Sequence, residues 1–348
     1  QIVVDRPDLE GRKAILEVHA KGKPLADDVN TEVIARRTPG FTGADLANLM
    51  NEAALMAARG AFETIDMRTV ESAIDRVLAG PERKTRVMSE KERRVTAYHE
   101  GGHALVGHLL EHCDPIHKVS IVARGRALGW TLALPTEDRY THTKSELIDR
   151  LAMLLGGRTA EEIVFGDVTT GAADDIDKAT EIARAMVTTY GMSDAVGPIA
   201  LGAKQGEVFL GKEYGHEANY SDAVAHVIDS EVRTLVNDAH ARAEAILTTY
   251  RATLDKLADE MLEHETLGDQ ELQEIFGDIE TWVDPDPSGL EDAPPAPVEP
   301  APPTIAPERA PVTAAEAVEQ EVPAPVRPRP TPVREWLRWR FRPGTSGT

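Results

Sequence analysis

The spacing of apolar residues predicts helices along most of the first 280 positions. Residues 10–20 carry apolar side chains at the spacing of one helix face. A second helix is predicted to begin after Thr42, because Asp45 three residues later gives a variant of the capping box. Its apolar stripe consists of Leu46, Leu49, Met50, Ala53 and Ala54. Residues 65–78 carry a third helical pattern of the same kind.

Further along the chain the pattern changes twice. A polar stretch with Gly and Pro at residues 79–87 predicts a linker, and a long helical pattern follows at 89–112. Two segments, 118–125 and 128–135, are rich in β-branched or aromatic residues and predict strands. Residues 144–279 are helical in pattern almost throughout. The sequence therefore predicts a mainly α protein with a small β-sheet.

The last segment, residues 281–348, differs from the rest in composition. It is rich in Pro, Ala and Glu, and it cannot bury enough apolar surface to offset its ordering entropy, so we expect a disordered tail. Its end is basic and carries Trp336, Trp339 and Phe341, a combination that suits contact with an anionic membrane surface or a partner. The alternative is an adhesive terminus without a partner.

Charge and cysteine content narrow the function classes. The formal net charge of −21 disfavours a nucleic-acid partner, because an acidic chain repels phosphate. A single cysteine, Cys113, excludes a disulfide within the chain and is expected to be an ordinary partly buried thiol. No apolar run reaches about 18 residues, so no membrane-spanning segment is expected here. Residues 1–12 look like the middle of a domain, which suggests a fragment.

One motif carries recognisable chemistry. His99, Glu100 and His103 form an HExxH pattern inside a predicted helix, where positions four apart share one face. Two imidazoles at that spacing can bind one Zn²⁺, and the intervening carboxylate can act on the water that attacks a peptide bond. Chance matches occur, and a surface helix with two histidines is the alternative. His108 and His112 repeat the spacing without a glutamate, and they are expected to be polar face residues.

A catalytic zinc site needs a third protein ligand. No histidine follows His103 at the spacing of the longer zinc-protease motifs, so a distant acidic residue is expected. Two clusters qualify, Glu161-Glu162 and Asp174-Asp175. The spacing does not choose between them, and either cluster could instead cap a helix or lie in solvent.

Several long motifs resemble the FtsH family of membrane-anchored, ATP-dependent zinc metalloproteases, over residues 1 to about 280. In the first part these motifs are RPDLEGRKAIL and TPGFTGADLANLMNEAAL. In the second part they are HEGGHA, VSIVARGRALGWTLALPTEDR, LGGRTAEEIVFG, TTGAADDIDKAT, MVTTYGMSDAVGP and GEVFLG. The resemblance implies a zincin-like peptidase domain at 88–280.

The resemblance also implies roles for the acidic residues. It makes Asp175 the third zinc ligand and Glu161 a residue that orients a ligand histidine. The sequence departs from the family at two positions, with Gly101 in place of a more frequent alanine and Asp174 in place of a more frequent asparagine. Neither departure removes a ligand, although an extra carboxylate at Asp174 could shift the pH optimum of the site.

Residues 1–78 resemble the end of an AAA+ ATPase module, namely the last strand of its α/β core and the helical lid. The resemblance places His19 near the adenine of ATP, and Gly43 and Ala44 at a helix N-terminus that faces the nucleotide. His19 could instead be an ordinary helix-face histidine. The sequence contains no GxxxxGK[ST] loop, so ATP binding and hydrolysis are expected only in the full-length protein.

The resemblance implies a zinc endopeptidase within a homohexameric, membrane-anchored protease that degrades unfolded, damaged or membrane proteins at the cytoplasmic face of the cell membrane. Segment 128–135 is a candidate edge strand that could bind the substrate backbone, with an internal strand as the alternative. One rival function is a non-catalytic chaperone or assembly module on the same fold. Another is a zinc hydrolase acting on small amides.

Overall fold

A computed structural model describes most of the first 284 residues. The described residues are 5–82, 88–125, 127–135, 138–139, 141–202, 220–277 and 279–284. Three predicted features lie outside these residues: the strand that the AAA+ resemblance implies at the start of the chain, the GEVFLG motif at 206–211, and the tail from 285. Among the described residues, no helix is both long enough and apolar enough to span a membrane.

Helices dominate the described chain, and three short strands form one sheet. In chain order the elements are α1 Leu9–Ala20, α2 Thr31–Arg36, α3 Gly43–Arg59, α4 Met67–Ala79, α5 Glu90–Leu109, β1 Ile116–Ser120, β2 Trp130–Ala133, α6 Lys144–Phe165, a 3₁₀ turn at Thr170–Ala172, α7 Ala173–Thr188, α8 Asp222–Thr249, α9 Arg251–His264, β3 Thr266–Leu267 and α10 Asp269–Phe276. The predicted class, mainly α with a small sheet, is confirmed.

The first four helices surround an apolar core of their own. The predicted capping box opens α3, since the Thr42 hydroxyl accepts from the backbone N–H of Asp45 and the Asp45 carboxylate accepts from that of Thr42. The predicted stripe of α3 is buried at Leu46, Leu49 and Met50, among others. Helix α2 was not predicted, because six residues are too few for an apolar period to stand out.

A second core is built around α5 and α6, which pack at very close range. A Cβ added at Gly102 would lie 2.4 Å from the backbone oxygen of Gly156, and one at Gly156 would lie 2.8 Å from the backbone oxygen of Gly102. Only residues without a side chain allow this approach. Helix α8 packs on α6 and helix α9 on α5, with buried residues such as Ile246 of α8 and Leu254 of α9.

The sheet has the order β2-β1-β3, with antiparallel pairing throughout. In the central strand, Val119 lies opposite Thr131 of β2 and opposite Leu267 of β3. Strand β2 is therefore an edge strand within the described residues, as predicted for segment 128–135. Strand β3 contains two residues and was not predicted, since so short a strand carries no period.

Charged side chains connect the first four helices to the sheet region. The almost fully buried Arg12 of α1 donates to both oxygens of Asp138, which follows β2, at 2.8 and 2.9 Å. Lys118 of β1 pairs with Asp75 of α4 at 2.8 Å. The described residues up to 284 belong to one compact unit that contains two cores.

Candidate metal centre

Helix α5 brings the HExxH side chains to a partly enclosed position. The helix begins at a capping box between Ser89 and Glu92, and its periodicity places His99 and His103 on one face. Their Nε2 atoms lie 3.1 Å apart. His103 is buried and His99 is nearly so. The pattern therefore delivers two imidazole nitrogens to one point, as predicted.

A third candidate ligand comes from the first turn of α7. Asp175 Oδ2 lies 3.2 Å from His99 Nε2 and 3.5 Å from His103 Nε2. A tetrahedral ion with ligand bonds of about 2.1 Å separates its ligands by roughly 3.4 Å, so these distances fit zinc. These three side chains form the metal-binding group found among the described residues.

Outer contacts fix the tautomer of each histidine. His99 Nδ1 donates to Glu161 Oε1 at 2.7 Å, and His103 Nδ1 donates to the backbone oxygen of Met153 at 2.8 Å. Each Nε2 is then left to bind a metal. Glu161 is buried, and its second oxygen accepts from the backbone N–H of Thr169 at 2.7 Å. Glu161 thus lies where the predicted orienting residue should be.

Electrostatics at the metal-free site follow from the same contacts. Burial lowers the pKa of His99, but hydrogen bonds to Asp175 and Glu161 outweigh burial and raise that pKa from 6.5 to about 10. Burial raises the pKa of Asp175, but its hydrogen bonds to His103 and His99 outweigh burial and bring that pKa below its ordinary value. The carboxylates are thus ionised and hold a proton on His99, in the place that a cation would take.

Gly157 of α6 keeps the space around the ligand atoms clear. A Cβ at this position would lie 2.5 Å from His103 Nε2 and 2.7 Å from His99 Cε1. Gly101 and Gly102 of α5 instead lie close against α9 and α6. Gly157 was missed because its partner histidines, His103 and His99, are 54 and 58 residues away in the sequence. This cradle, together with the two-histidine, one-carboxylate donor set, fits Zn²⁺.

Glu100 lies beside the candidate ligands but points toward strand β2. Its Oε2 accepts a 2.8 Å hydrogen bond from the Thr131 hydroxyl. Glu100 is buried, and this burial raises the pKa of its carboxyl group above the ordinary value. A raised pKa suits a group that takes up a proton and later returns it.

A cleft of about 1030 Å³ opens onto this group. It reaches from α5 across β2 to α7, and its lining includes Trp130, Thr131 and Gly171. A cleft of this size is at the upper end of the range for small-molecule sites, so it can accept a stretch of polypeptide.

Comparisons with known proteins decide the family. The sequence model described as peptidase family M41 matches residues 86–275, more than half of the chain. The chain belongs to peptidase family M41. The model described as the AAA+ lid domain matches residues 28–72. Both matches fall close to the predicted parts at 1–78 and 88–280, although the boundaries themselves stay predictions.

Curated relatives share extensive identity with this M41 peptidase chain. It is 61% identical over 277 residues to the ATP-dependent zinc metalloprotease FtsH 3 of Symbiobacterium thermophilum, with 79% of this chain and 44% of the relative covered. It is 56% identical over 275 residues to an FtsH protease of Rubrobacter xylanophilus, covering 79% of this chain and 42% of the relative. The chain thus spans less than half the length of these relatives.

The remaining acidic and histidine candidates of the M41 domain lie elsewhere. Glu162 points away from the centre and pairs with Arg158 at 2.9 Å. Asp174 lines the cleft, but its exposed side chain pairs with Lys178 at 2.5 Å, so the extra negative charge is offset. His108 stacks on the ring of Phe276, consistent with a helix-face role.

The predicted nucleotide residues occupy the helices ahead of the M41 domain. Gly43 and Ala44 begin α3, and a Cβ at Gly43 would lie 3.8 Å from Ile15 of α1. His19 is half-buried in the last turn of that same α1. The three residues therefore lie on two helices in contact, and their role stays a prediction.

The single cysteine is not one of the candidate metal ligands. Cys113 is partly buried, and burial raises the pKa of its thiol to about 12.

Proposed function

We propose that residues 88–280 form a zinc-dependent endopeptidase domain in which His99, His103 and Asp175 bind the metal. The observation that carries the proposal is the convergence of these three ligand atoms beside a buried carboxylate, at the floor of an open cleft. Glu161 and Met153 hold the histidines in the tautomer that a metal requires.

Glu100 is the proposed general base and then general acid. When bound, zinc would polarise the scissile carbonyl and lower the pKa of a water molecule beside it to about 7. Glu100 takes one proton from the attacking water as the new C–O bond forms. It then passes that proton to the amine nitrogen as the C–N bond breaks. Its burial supports this role, since a raised pKa makes the carboxylate a better acceptor of the proton from the attacking water.

Strand β2 is the proposed binding element for the substrate backbone. It is an edge strand within the described residues, and its residues Trp130 and Thr131 line the cleft. An extended peptide that pairs with this edge would pass the metal centre, and main-chain hydrogen bonds would accept many sequences. This arrangement supports unfolded protein as the substrate class.

The longer protein is the proposed setting of this domain. Relatives named as ATP-dependent zinc metalloproteases, together with the AAA+ lid match, support ATP use by the full-length protein, with His19, Gly43 and Ala44 near the nucleotide. We further propose a homohexamer, anchored to the cell membrane with its peptidase sites on the cytoplasmic face, that degrades unfolded, damaged or membrane proteins. Contact of the C-terminal aromatic segment, Trp336–Phe341, with a membrane or a partner is part of this proposal.

Two rival functions predict different features. A non-catalytic chaperone or assembly module has no need of the HExxH residues and Asp175, yet all of them converge here. A hydrolase of small amides has no need of an edge strand along a cleft of about 1030 Å³. The intact group and the long cleft therefore favour the peptidase.

The test is cleavage of casein, an unfolded protein, by the zinc-loaded wild type. Two altered samples are compared with it: wild type treated with a zinc chelator, and the Glu100→Gln variant with its zinc content measured. We expect both to lose cleavage, the first through loss of zinc and the second with zinc retained.

Two outcomes would contradict the proposal. Cleavage by zinc-loaded Glu100→Gln at the wild-type rate would remove Glu100 from the chemistry. Absence of cleavage by a zinc-loaded protein that also includes the ATPase segment and is supplied with ATP would favour the chaperone-like rival.

A further inference from the structure

The carboxylate of Glu100 is held by a residue outside its own helix. Thr131 Oγ1 lies 2.8 Å from Glu100 Oε2 and 3.3 Å from the backbone oxygen of the same residue. The hydroxyl has one proton, and the shorter contact to a charged oxygen is the stronger one. Among the described residues, Thr131 is the one hydrogen-bond donor to this carboxylate.

Gly129 brings the same chain segment against the other side of the carboxylate. A Cβ at Gly129 would lie 2.7 Å from Glu100 Cγ and 2.8 Å from Glu100 Oε1. No larger residue fits there unless Glu100 moves. Because side chains alternate along a strand, Gly129 and Thr131 share one face, and Trp130 lies on the other. The segment therefore fixes both the position and the rotation of the Glu100 side chain.

The position of the Thr131 hydroxyl is itself fixed by the sheet. Thr131 pairs with the fully buried Val119 of β1, and the next pair joins Trp130 to Ser120. A shift of one residue would move the hydroxyl to the opposite face. Trp130 adds a further restraint, since the Arg124 guanidinium lies 5.6 Å from its ring centre.

We propose that Thr131 is a positioning residue, whose hydroxyl holds Oε2 of Glu100 so that Oε1 is directed at the attacking water. The inference rests on the proposed peptidase function and adds a residue to it. Strand β2 then has two tasks, because the strand proposed to bind the substrate backbone also orients the base. A substrate that pairs with the edge of β2 and the carboxylate of Glu100 are thus both positioned by the same strand.

Two variants of Thr131 test the inference in the zinc-loaded protein. Thr131→Val keeps the β-branched shape and removes the hydroxyl, whereas Thr131→Ser keeps the hydroxyl. We expect Thr131→Val to lower kcat about 10–100-fold, as for other residues that orient catalytic groups, with KM and zinc content unchanged, when both proteins are assayed at a temperature at which they stay folded. We expect Thr131→Ser to stay close to wild type.

The outcomes separate this inference from the proposed function. If Glu100→Gln is inactive and Thr131→Val is fully active, the peptidase assignment stands and the role of Thr131 is wrong. If Thr131→Ser is as impaired as Thr131→Val, the hydroxyl is not the acting group. A crystal structure of zinc-loaded Thr131→Val gives a readout that needs no cleavage: we expect the Glu100 carboxylate to leave its wild-type position, and an unmoved carboxylate would overturn the inference.

Discussion

Helix α3 and helix α5 are of similar length but are stabilised in different ways. The buried residues of α3 are all apolar, among them Leu46, Leu49 and Met50. The buried residues of α5 include Glu100, His103 and three glycines. Helix α3 follows the usual pattern of an apolar face and good helix formers. Helix α5 departs from that pattern at the residues of the candidate site.

The difference shows where a functional helix obtains its stability. Each interior glycine costs about 1 kcal/mol relative to alanine, and a buried carboxylate or imidazole needs a partner. Those partners come from other elements: Glu161 and Met153 from α6, Thr131 from β2 and Asp175 from α7. Both helices form where their own sequences predict them, but the buried polar residues of α5 also need partners from the surrounding elements, and the apolar buried residues of α3 do not.

The largest effect is expected from Gly157→Ala. The new Cβ would lie 2.5 Å from His103 Nε2, and that ring is fixed by its hydrogen bond to Met153, so the ligand nitrogen must leave its place. We expect loss of stoichiometric zinc and loss of cleavage, measured by metal analysis and a casein assay.

The control for Gly157→Ala is Gly101→Ala, the same substitution on the other helix. A Cβ at Gly101 meets the ends of the flexible Leu254 and Met261 side chains at 3.2 and 3.4 Å, and no ligand atom. Zinc content should be unchanged in this control. Full zinc occupancy in Gly157→Ala would show that the ligands are not confined as described.

The next largest effect concerns the contact between α5 and α6. In Gly102→Ala the Cβ would lie 2.4 Å from the backbone oxygen of Gly156, which cannot move without the helix. Overpacking against backbone should lower the free energy of unfolding by about 3 kcal/mol or more. Urea unfolding measures the loss.

Gly101→Ala is again the matched control, since it lies one residue away. Alanine favours the helix more than glycine does, and this gain opposes the slightly closer contact with α9. The free energy of unfolding should therefore change by no more than about 1 kcal/mol. Equal destabilisation by the two variants would mean that the helices do not meet at Gly102.

The comparison also explains what the sequence can predict. Helices α3 and α5, the Thr42 cap and the histidine pair depend on residues within one or two turns of each other, and their patterns are readable. The spacing alone left the third ligand open between Glu161-Glu162 and Asp174-Asp175, and only the family resemblance chose Asp175. In the structure Glu161 contacts His99, and Asp175 meets both histidines.

Contacts between distant segments account for what was missed. Gly157 lies 54 residues from its partner His103, and Thr131 lies 31 residues from its partner Glu100. Neither residue stands in a local sequence pattern from which these contacts could be predicted. The partners of Gly101 on α9 and of Gly102 on α6 were not predicted either. The short elements α2 and β3 escaped because they contain less than two periods of any pattern.

A third prediction concerns pH. The pKa of His99 is raised to about 10 in the metal-free site, so zinc must displace a proton there at neutral pH. The apparent zinc affinity should therefore increase about tenfold per pH unit from this group, or about 100-fold between pH 6 and 8. Competition with a chelator of known pH dependence measures it.

The stability of the metal-free protein should fall as the pH rises, whereas the zinc affinity increases. A raised histidine pKa stabilises the fold fully below the ordinary value near 6.5, and this contribution is lost as the pH rises toward about 10. A zinc affinity that does not change with pH would mean that His99 has no proton to release. Glu161→Gln weakens one of the contacts that raise this pKa, so its affinity should depend less on pH.

The smallest effect is expected from removing the N-cap hydroxyls of α3 and α5. Thr42→Ala removes the hydroxyl that accepts from the backbone N–H of Asp45. Ser89→Ala removes the hydroxyl that accepts from the backbone N–H of Glu92. Each should lower the free energy of unfolding by about 1 kcal/mol, because both capping boxes are exposed and satisfy the same backbone groups. Neither change should alter zinc content, since both caps lie at helix starts away from the ligands. A loss of zinc in Ser89→Ala alone would mean that the start of α5, and not only its surroundings, sets the position of His99.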